Sequence, residues 1–124
     1  LKAHDLYDPS RVIFISFGSD ICEYLGANAP EFMTEALWEF YETPEDYVSR
    51  GINGVDLMQK FYLDKPELAA TSMAAGLRTN VWTVNDMEQA SQLMDMGVQE
   101  FTSDVPGEIR ATIESKGLKE LKLK

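Results

Sequence analysis

At 124 residues, with 44% hydrophobic and 26% charged side chains, the chain has the size and balance of one globular domain rather than of a disordered segment. Lys and Arg number 11 against 21 Asp and Glu, a formal net charge of −10 that repels polyanions and sets nucleic acid aside as a partner. No apolar run approaches the ~20 residues of a membrane span, and the single Cys22 and single His4 exclude an internal disulfide and any in-chain site built on two histidines.

The chain opens on Leu1 rather than methionine, as a processed or excised piece would. His4-Asp5 sits in a short amphipathic lead-in and reads as a surface histidine at the tail of a helical turn. Arg11–Phe17 is β-branched and aromatic with almost no polarity, which predicts a strand buried on both faces. Gly18-Ser19-Asp20 ends it, and Ile21–Leu25 predicts a short helix. Thr34–Phe40 alternates weakly, as a strand would. Thr43-Pro44-Glu45-Asp46 is a helix start, with a hydroxyl cap, proline at the first helical position and acids in the first turn; Gly51 ends that helix. Val55–Met58 predicts a short strand. Asp64-Lys65-Pro66-Glu67 has the spacing of a capping box, opening a helix that stops near Gly76. Leu77–Val84 is the clearest late strand. Asn85 with Glu88 predicts the cap of a helix bearing Met87, Ala90 and Met94 on one face, and Gly97 closes it. Val98–Thr102 predicts the last strand and Pro106–Lys116 the last helix, with Ile109 and Ile113 inward and a Lys-rich tail from Leu118 that frays.

Five strands alternating with helices argue for a parallel sheet built from (β/α) units over residues 1–124. Two architectures accept that pattern: an open flavodoxin-like sandwich, or part of a (β/α)₈ barrel, for which the chain has about half of the usual ~250 residues. The six methionines read as core filling. The acids of Glu39-Phe40-Tyr41-Glu42 and of Glu45-Asp46 read as a solvated face.

Three segments carry a resemblance. Ala75-Gly76-Leu77-Arg78-Thr79-Asn80-Val81-Trp82-Thr83-Val84-Asn85 resembles the strand of glycerophosphodiester phosphodiesterases in which a glycine-ended helix leads into Trp-Thr-Val-Asn. Gly97-Val98-Gln99-Glu100-Phe101-Thr102-Ser103-Asp104-Val105-Pro106 is similar to that family's final strand, which reads Gly-Val-Asp-Gly, two apolar residues, Thr-Asp, any residue, Pro. Val12–Phe17 resembles its middle strand, which ends in Ser-Phe. Order and spacing agree over most of the chain. The departures are Gln99 and Glu100 in place of Asp and Gly, and Ser103 in place of Thr; Ala27–Ile52 matches no part of the pattern.

The resemblance implies an α/β fold, the C-terminal part of a TIM barrel, and a parent enzyme that hydrolyses glycerophosphodiesters to glycerol phosphate and an alcohol. It implies a divalent cation, Mg or Ca, in the parent, with none expected on this chain alone. The family's His-Arg-Gly, Glu-x-Asp, His-Asp and Glu-x-Lys segments all precede the Ser-Phe strand, so no catalytic residue is expected here. Residues at the C-terminal ends of strands, where barrels place their chemistry, become the substrate-binding candidates: Trp82, Thr83, Asn85, Ser103 and Asp104. Each has a plainer reading, Trp82 as barrel packing and Asn85, Ser103 and Asp104 as helix caps; Ser16 and Phe17 read as packing. The expected partners are a missing N-terminal half-barrel or a second copy of the chain. Half a barrel would expose inward-facing apolar residues such as Val12, Phe14, Val81 and Val84, or their alternates on the same strands. A non-catalytic binding or assembly module, or a flavodoxin-like signalling domain, are the competing readings.

Overall fold

β-branched and aromatic runs flanked by glycine, proline and capping residues resolve into five strands and six helices in a computed structural model, which describes residues 1–38 and 43–123. After a 3-10 turn at Lys2–His4, the elements run β1 (Ile13–Ser16), α1 (Ser19–Asn28), β2 (Met33–Trp38), α2 (Pro44–Ser49), β3 (Gly54–Met58), α3 (Gln59–Asp64), α4 (Leu68–Ala74), β4 (Arg78–Trp82), α5 (Met87–Asp95), β5 (Glu100–Phe101) and α6 (Pro106–Ser115). Residues 39–42, which include Glu39 and Glu42, lie outside the described residues. Among those described, no helix is long and apolar enough to cross a membrane.

The sheet is parallel throughout and its order is β1-β2-β3-β4-β5. That steady progression excludes the flavodoxin-like alternative, whose strand order reverses at a switch point. The sheet also curls. Glu35 on β2 accepts a hydrogen bond from Asn80 Nδ2 on β4 at 3.0 Å, across the whole width of β3. Two strand spacings in a flat sheet are ~9.6 Å, and the two side chains close that gap over Gly54, as a concave face allows.

The convex face carries the apolar core. Ala36, Val55, Leu57 and Val81 point outward against Cys22, Tyr47, Tyr62, Ala69, Ala90, Leu93 and Ile109 of the helices. The expectation that Phe14, Val81 and Val84 line the interior is corrected. Registers Ser16↔Ala36, Ala36↔Val55 and Leu57↔Val81 put Phe14 and Val81 on the helix-facing side, and Val81 and Val84 are fully buried. Their alternates face the concavity, and most are polar: Ile15, Glu35, Gly54 and Arg78 at one level, Leu37, Asp56, Asn80 and Glu100 at the next.

Gly54 makes the concave network possible. A Cβ there would lie 2.9 Å from Arg78 Cβ and 3.0 Å from Glu35 Cγ, so only glycine leaves room for Glu35 to pass over β3. Gly54→Ala should therefore cost about 1–3 kcal/mol, the range for overpacking, read as a lower urea midpoint at unchanged slope. An unmoved midpoint would show that Glu35 withdraws from Asn80 without penalty.

Local chemistry accounts for the boundaries. Thr43 Oγ1 accepts from Asp46 N at 3.4 Å and Pro44 opens α2, as expected. Gly76 (φ 98°) and Gly97 (φ 92°) take the left-handed conformation that ends α4 and α5. Two caps differ from expectation. Asp64 closes α3 instead of capping the next helix, and Glu67, at the N-cap of α4, makes no side-chain cap bond; β3 runs straight into α3, so one crossover holds two short helices. The cap of α5 is Asp86, whose Oδ1 accepts from Gln89 N at 2.8 Å, while Asn85 is engaged elsewhere. β5 is shorter than Val98–Thr102, although Gln99 N and Thr102 N still donate to Thr79 O and Val81 O beside it. The exposed tail after Leu118 is tied at one point: Arg78 Nη2 donates to the Lys122 carbonyl at 3.1 Å.

Candidate active-site wall at the mouth of the sheet

In parallel (β/α) sheets the loops following the strands form the functional rim. Among the described residues, that rim includes 17–18, 83–86 and 102–105. Trp82 is the last residue of β4 and, paired with Met58, points into the concavity. Its indole Nε1 donates to the Asp56 carbonyl at 3.2 Å, which fixes the ring plane. Phe17 stands edge-on to it, ring centroids 6.3 Å apart and planes at 90°. Such a contact between β1 and β4 spans three strand intervals and again requires the barrel curl. Trp82 is half-buried and Phe17 is 55% exposed, so the pair offers an apolar surface at the rim rather than a sealed core. Phe17, read from sequence as packing, is thus a rim residue. Ser16 faces the helices and its Oγ accepts from Gly18 N at 3.1 Å.

The candidates Asn85, Ser103 and Asp104 come together. Asn85 Nδ2 donates to Asp104 Oδ2 at 2.8 Å, and Asn85 Oδ1 accepts from Asp104 N at 2.9 Å and from Ser103 Oγ at 3.2 Å. Ser103 Oγ also accepts from Val105 N at 3.0 Å. The cap readings of these three residues are corrected: together they latch the loop after β4 to the loop after β5. Thr83 lies half-buried between Trp82 and this latch, after a cis Trp82–Thr83 peptide bond. His4 is remote, since its lead-in packs Tyr7 against Phe32 beside the start of β2, at the opposite end of the strands.

A polar network below the rim was not anticipated. Glu35 and Asp56 are 0% and 1% exposed. Arg78 Nε donates to Glu100 Oε1 at 2.6 Å, so the glutamate standing where the related pattern has glycine is paired. Burial, followed by the hydrogen bond to and the charge of Glu100, pushes the Glu35 carboxyl up to about 9 against the pull of Asn80. Burial and the Glu100 charge push Asp56 up to about 7. Glu35 Oε1, Asp56 Oδ1 and Glu100 Oε2 are buried without a conventional donor. A protonated Glu35 supplies one, an O–H shared with Glu100. The sequence carries only part of the signal: Glu35, Asp56 and Asn80 are polar residues within strands, but they share one face only once the register is set.

The parallel sheet, its curl and its rim define a segment of a (β/α) barrel whose working end is the mouth. Residues 1–108 match the glycerophosphoryl diester phosphodiesterase family, and the chain belongs to it. A glycerophosphodiester phosphodiesterase from Parabacteroides distasonis is similar at 28% identity and TM-score 0.80, over 88% of this chain and 45% of that one. An Oleispira antarctica phosphodiesterase, solved with its product sn-glycerol-3-phosphate, shares the fold at 23% identity and TM-score 0.72, over 82% of this chain and 41% of that one. An Agrobacterium tumefaciens glycerophosphodiester phosphodiesterase shares it at 19% identity and TM-score 0.66, over 83% and 45%. The chain thus spans less than half the length of these structures. No curated protein matches it.

Proposed function

We propose that this chain is the C-terminal part of a divalent-cation-dependent glycerophosphodiester hydrolase and forms one wall of its substrate mouth. The observation that supports this reading most is the Trp82 indole, pinned by the Asp56 carbonyl and edged by Phe17 at the rim. Such a surface suits the carbon skeleton of a glycerol moiety, while Thr83 and the Asn85–Ser103–Asp104 latch border it with polar groups. The residues present do not fit a metal centre: among the described residues no three His, Cys, Asp or Glu side chains converge on a common point. We place the Mg or Ca ion and the acid–base histidines in the preceding part of the barrel, as the family resemblance implies, and assign no catalytic step to this chain. Its part is to bind and orient the glycerol side of a small phosphodiester.

Trp82→Ala in the whole protein is expected to lower kcat/KM for a glycerophosphodiester on the order of 10- to 100-fold, equivalent to ~1.4–2.7 kcal/mol. The assay is release of glycerol phosphate, run beside a thermal melt. A collapsed melting temperature with unchanged activity in the surviving folded fraction would make Trp82 a packing residue and remove it from the site. Asn85→Ala, which cuts the latch, should raise KM with a smaller effect on kcat; a variant indistinguishable from wild type in both would leave the latch a purely local tie.

A further inference from the structure

Gly117 (φ 66°) turns the chain at the foot of α6, and Leu118 N donates back to Ile113 O at 3.3 Å. The segment that follows, Leu118-Lys119-Glu120-Leu121-Lys122-Leu123, forms no helix or strand. It nevertheless has a defined course. Residues 118–121 and 123 line a cavity of about 800 Å³ together with Ile13, Asn80 and Glu100 of the concave face. Lys122 and Leu123 also line a second cavity of about 580 Å³ with Met33, Asn53, Leu77 and Gln99, which stand at the starts of β2 to β5. The segment therefore runs from the edge of the sheet beneath its floor, at the end opposite the mouth.

Arg78 joins this segment to the concave network. The guanidinium uses two different nitrogens: Nε donates to Glu100 Oε1 at 2.6 Å and Nη2 to the Lys122 carbonyl at 3.1 Å. The Arg78 and Glu100 side chains are each only 17% exposed, so the ion pair that orients the fork is shielded on most sides. Planarity matters here, because the carboxylate that fixes one edge of the guanidinium thereby aims the other. Lys119 and Lys122 bring positive charge to a chain whose formal net charge is −10. The segment lies past residue 108, outside the match to the family, and Glu100 is itself a departure from the family pattern.

We propose that residues 118–123 are a strap that closes the floor of the barrel, that Arg78 is its clasp, and that Glu100 sets the clasp. The strap stands between solvent and Asn80 and Glu100 from below, and it is released when the Arg78 fork loses either arm. This device is independent of what the mouth binds.

Limited trypsin digestion of the protein with mass-spectrometric timing tests it. In wild type, cleavage after Lys119 and Lys122 is expected to be slow. In Arg78→Met, which keeps the apolar stem but removes both donors, it should be at least tenfold faster. In Glu100→Gln, which keeps an acceptor oxygen but loses the charge, it should be about threefold faster. Cleavage after Arg110, inside α6, reports general unfolding and should stay unchanged in both. If Arg78→Met cuts at Arg110 as readily as at Lys119, the variant is unfolded and Glu100→Gln decides alone. Rates at Lys119 and Lys122 within twofold of wild type in every folded variant would overturn the strap.

Discussion

Expressed by itself, the 124-residue chain should form a dimer or larger assembly and show no divalent-cation-dependent hydrolysis of glycerophosphodiesters above the metal-only background. The assembly half follows from two open edges. Among the described residues β1 pairs only with β2 and β5 only with β4, which leaves a row of backbone N–H and C=O groups at each side of the sheet. Large apolar side chains gather at the first edge: Ile15 and Phe17 are 55% exposed, and Ile21 and Tyr24 on the adjoining α1 are 51% and 65% exposed. Covering several hundred Å² there, at ~25 cal/mol per Å², yields on the order of 10 kcal/mol before association costs, which take back ~4–15 kcal/mol. The two figures overlap, and the backbone hydrogen bonds formed along the paired edges, ~0.5–1.5 kcal/mol each, tip the balance toward pairing at the concentrations of light scattering. The activity half follows from composition and geometry, since self-pairing adds copies of one exposed histidine, and among the described residues no three His, Cys, Asp or Glu side chains are arranged to hold a metal ion. Light scattering and a coupled glycerol-phosphate assay on one sample check both. A monomer at high concentration would mean that the edges are self-sufficient; turnover above background would place a catalytic site in these residues.

Stability should fall as pH rises from 5 to 9, against the usual behaviour of paired carboxylates. Glu35 is raised from 4.5 to about 9 and Asp56 from 3.8 to about 7. The folded state therefore holds protons that the unfolded chain has released across that interval, and by linkage each rise in pH favours unfolding. The contribution is fully present below the unfolded values and is lost once pH passes the folded ones. Asp8 and Glu31 are shifted down, each chiefly by a side-chain hydrogen bond, and lie at the surface, so their opposing effect is small and confined to acid below the ordinary carboxylate range. One unit corresponds to ~1.4 kcal/mol; with a discount for relaxation of the buried pair, a fall of about 2 kcal/mol, or roughly 10 °C in Tm, is expected between pH 5.5 and 8.5. Thermal melts across that range measure it, and Glu35→Gln should flatten most of the slope. A Tm that is level or climbs with pH in wild type would contradict the buried-acid reading of Glu35.

How much of this was legible in the sequence depended on whether the deciding interaction was local. Strand and helix positions, the Thr43 cap and the glycine stops follow from neighbours within four residues. The Trp82 position at a strand end did too, because Gly76 and the apolar alternation after it fix the register of β4. Asn85 misled as a cap because its partner, Asp104, is nineteen residues away, and Asp86 was free to take the role. Glu35, Asp56 and Glu100 were hidden for the same reason. A lone acid in a strand has no visible counter-group until Gly54 lets Glu35 cross to Asn80 and the curl brings β4 and β5 round. Which strand face turns inward was likewise unreadable from runs apolar on both faces.

Gly54 also bears on how freely such barrels exchange halves. By letting Glu35 across, it concentrates the interior demand for hydrogen bonds in one place, and Asp56 Oδ1 is left without a partner among the described residues. A front half grafted from a relative would have to match more than the strand edges. It would need a donor at the height of Asp56, or the hybrid would enclose an uncompensated carboxyl group costing ~1–3 kcal/mol or more. Compatibility between halves in this lineage is thus written in the lumen as well as along the seams.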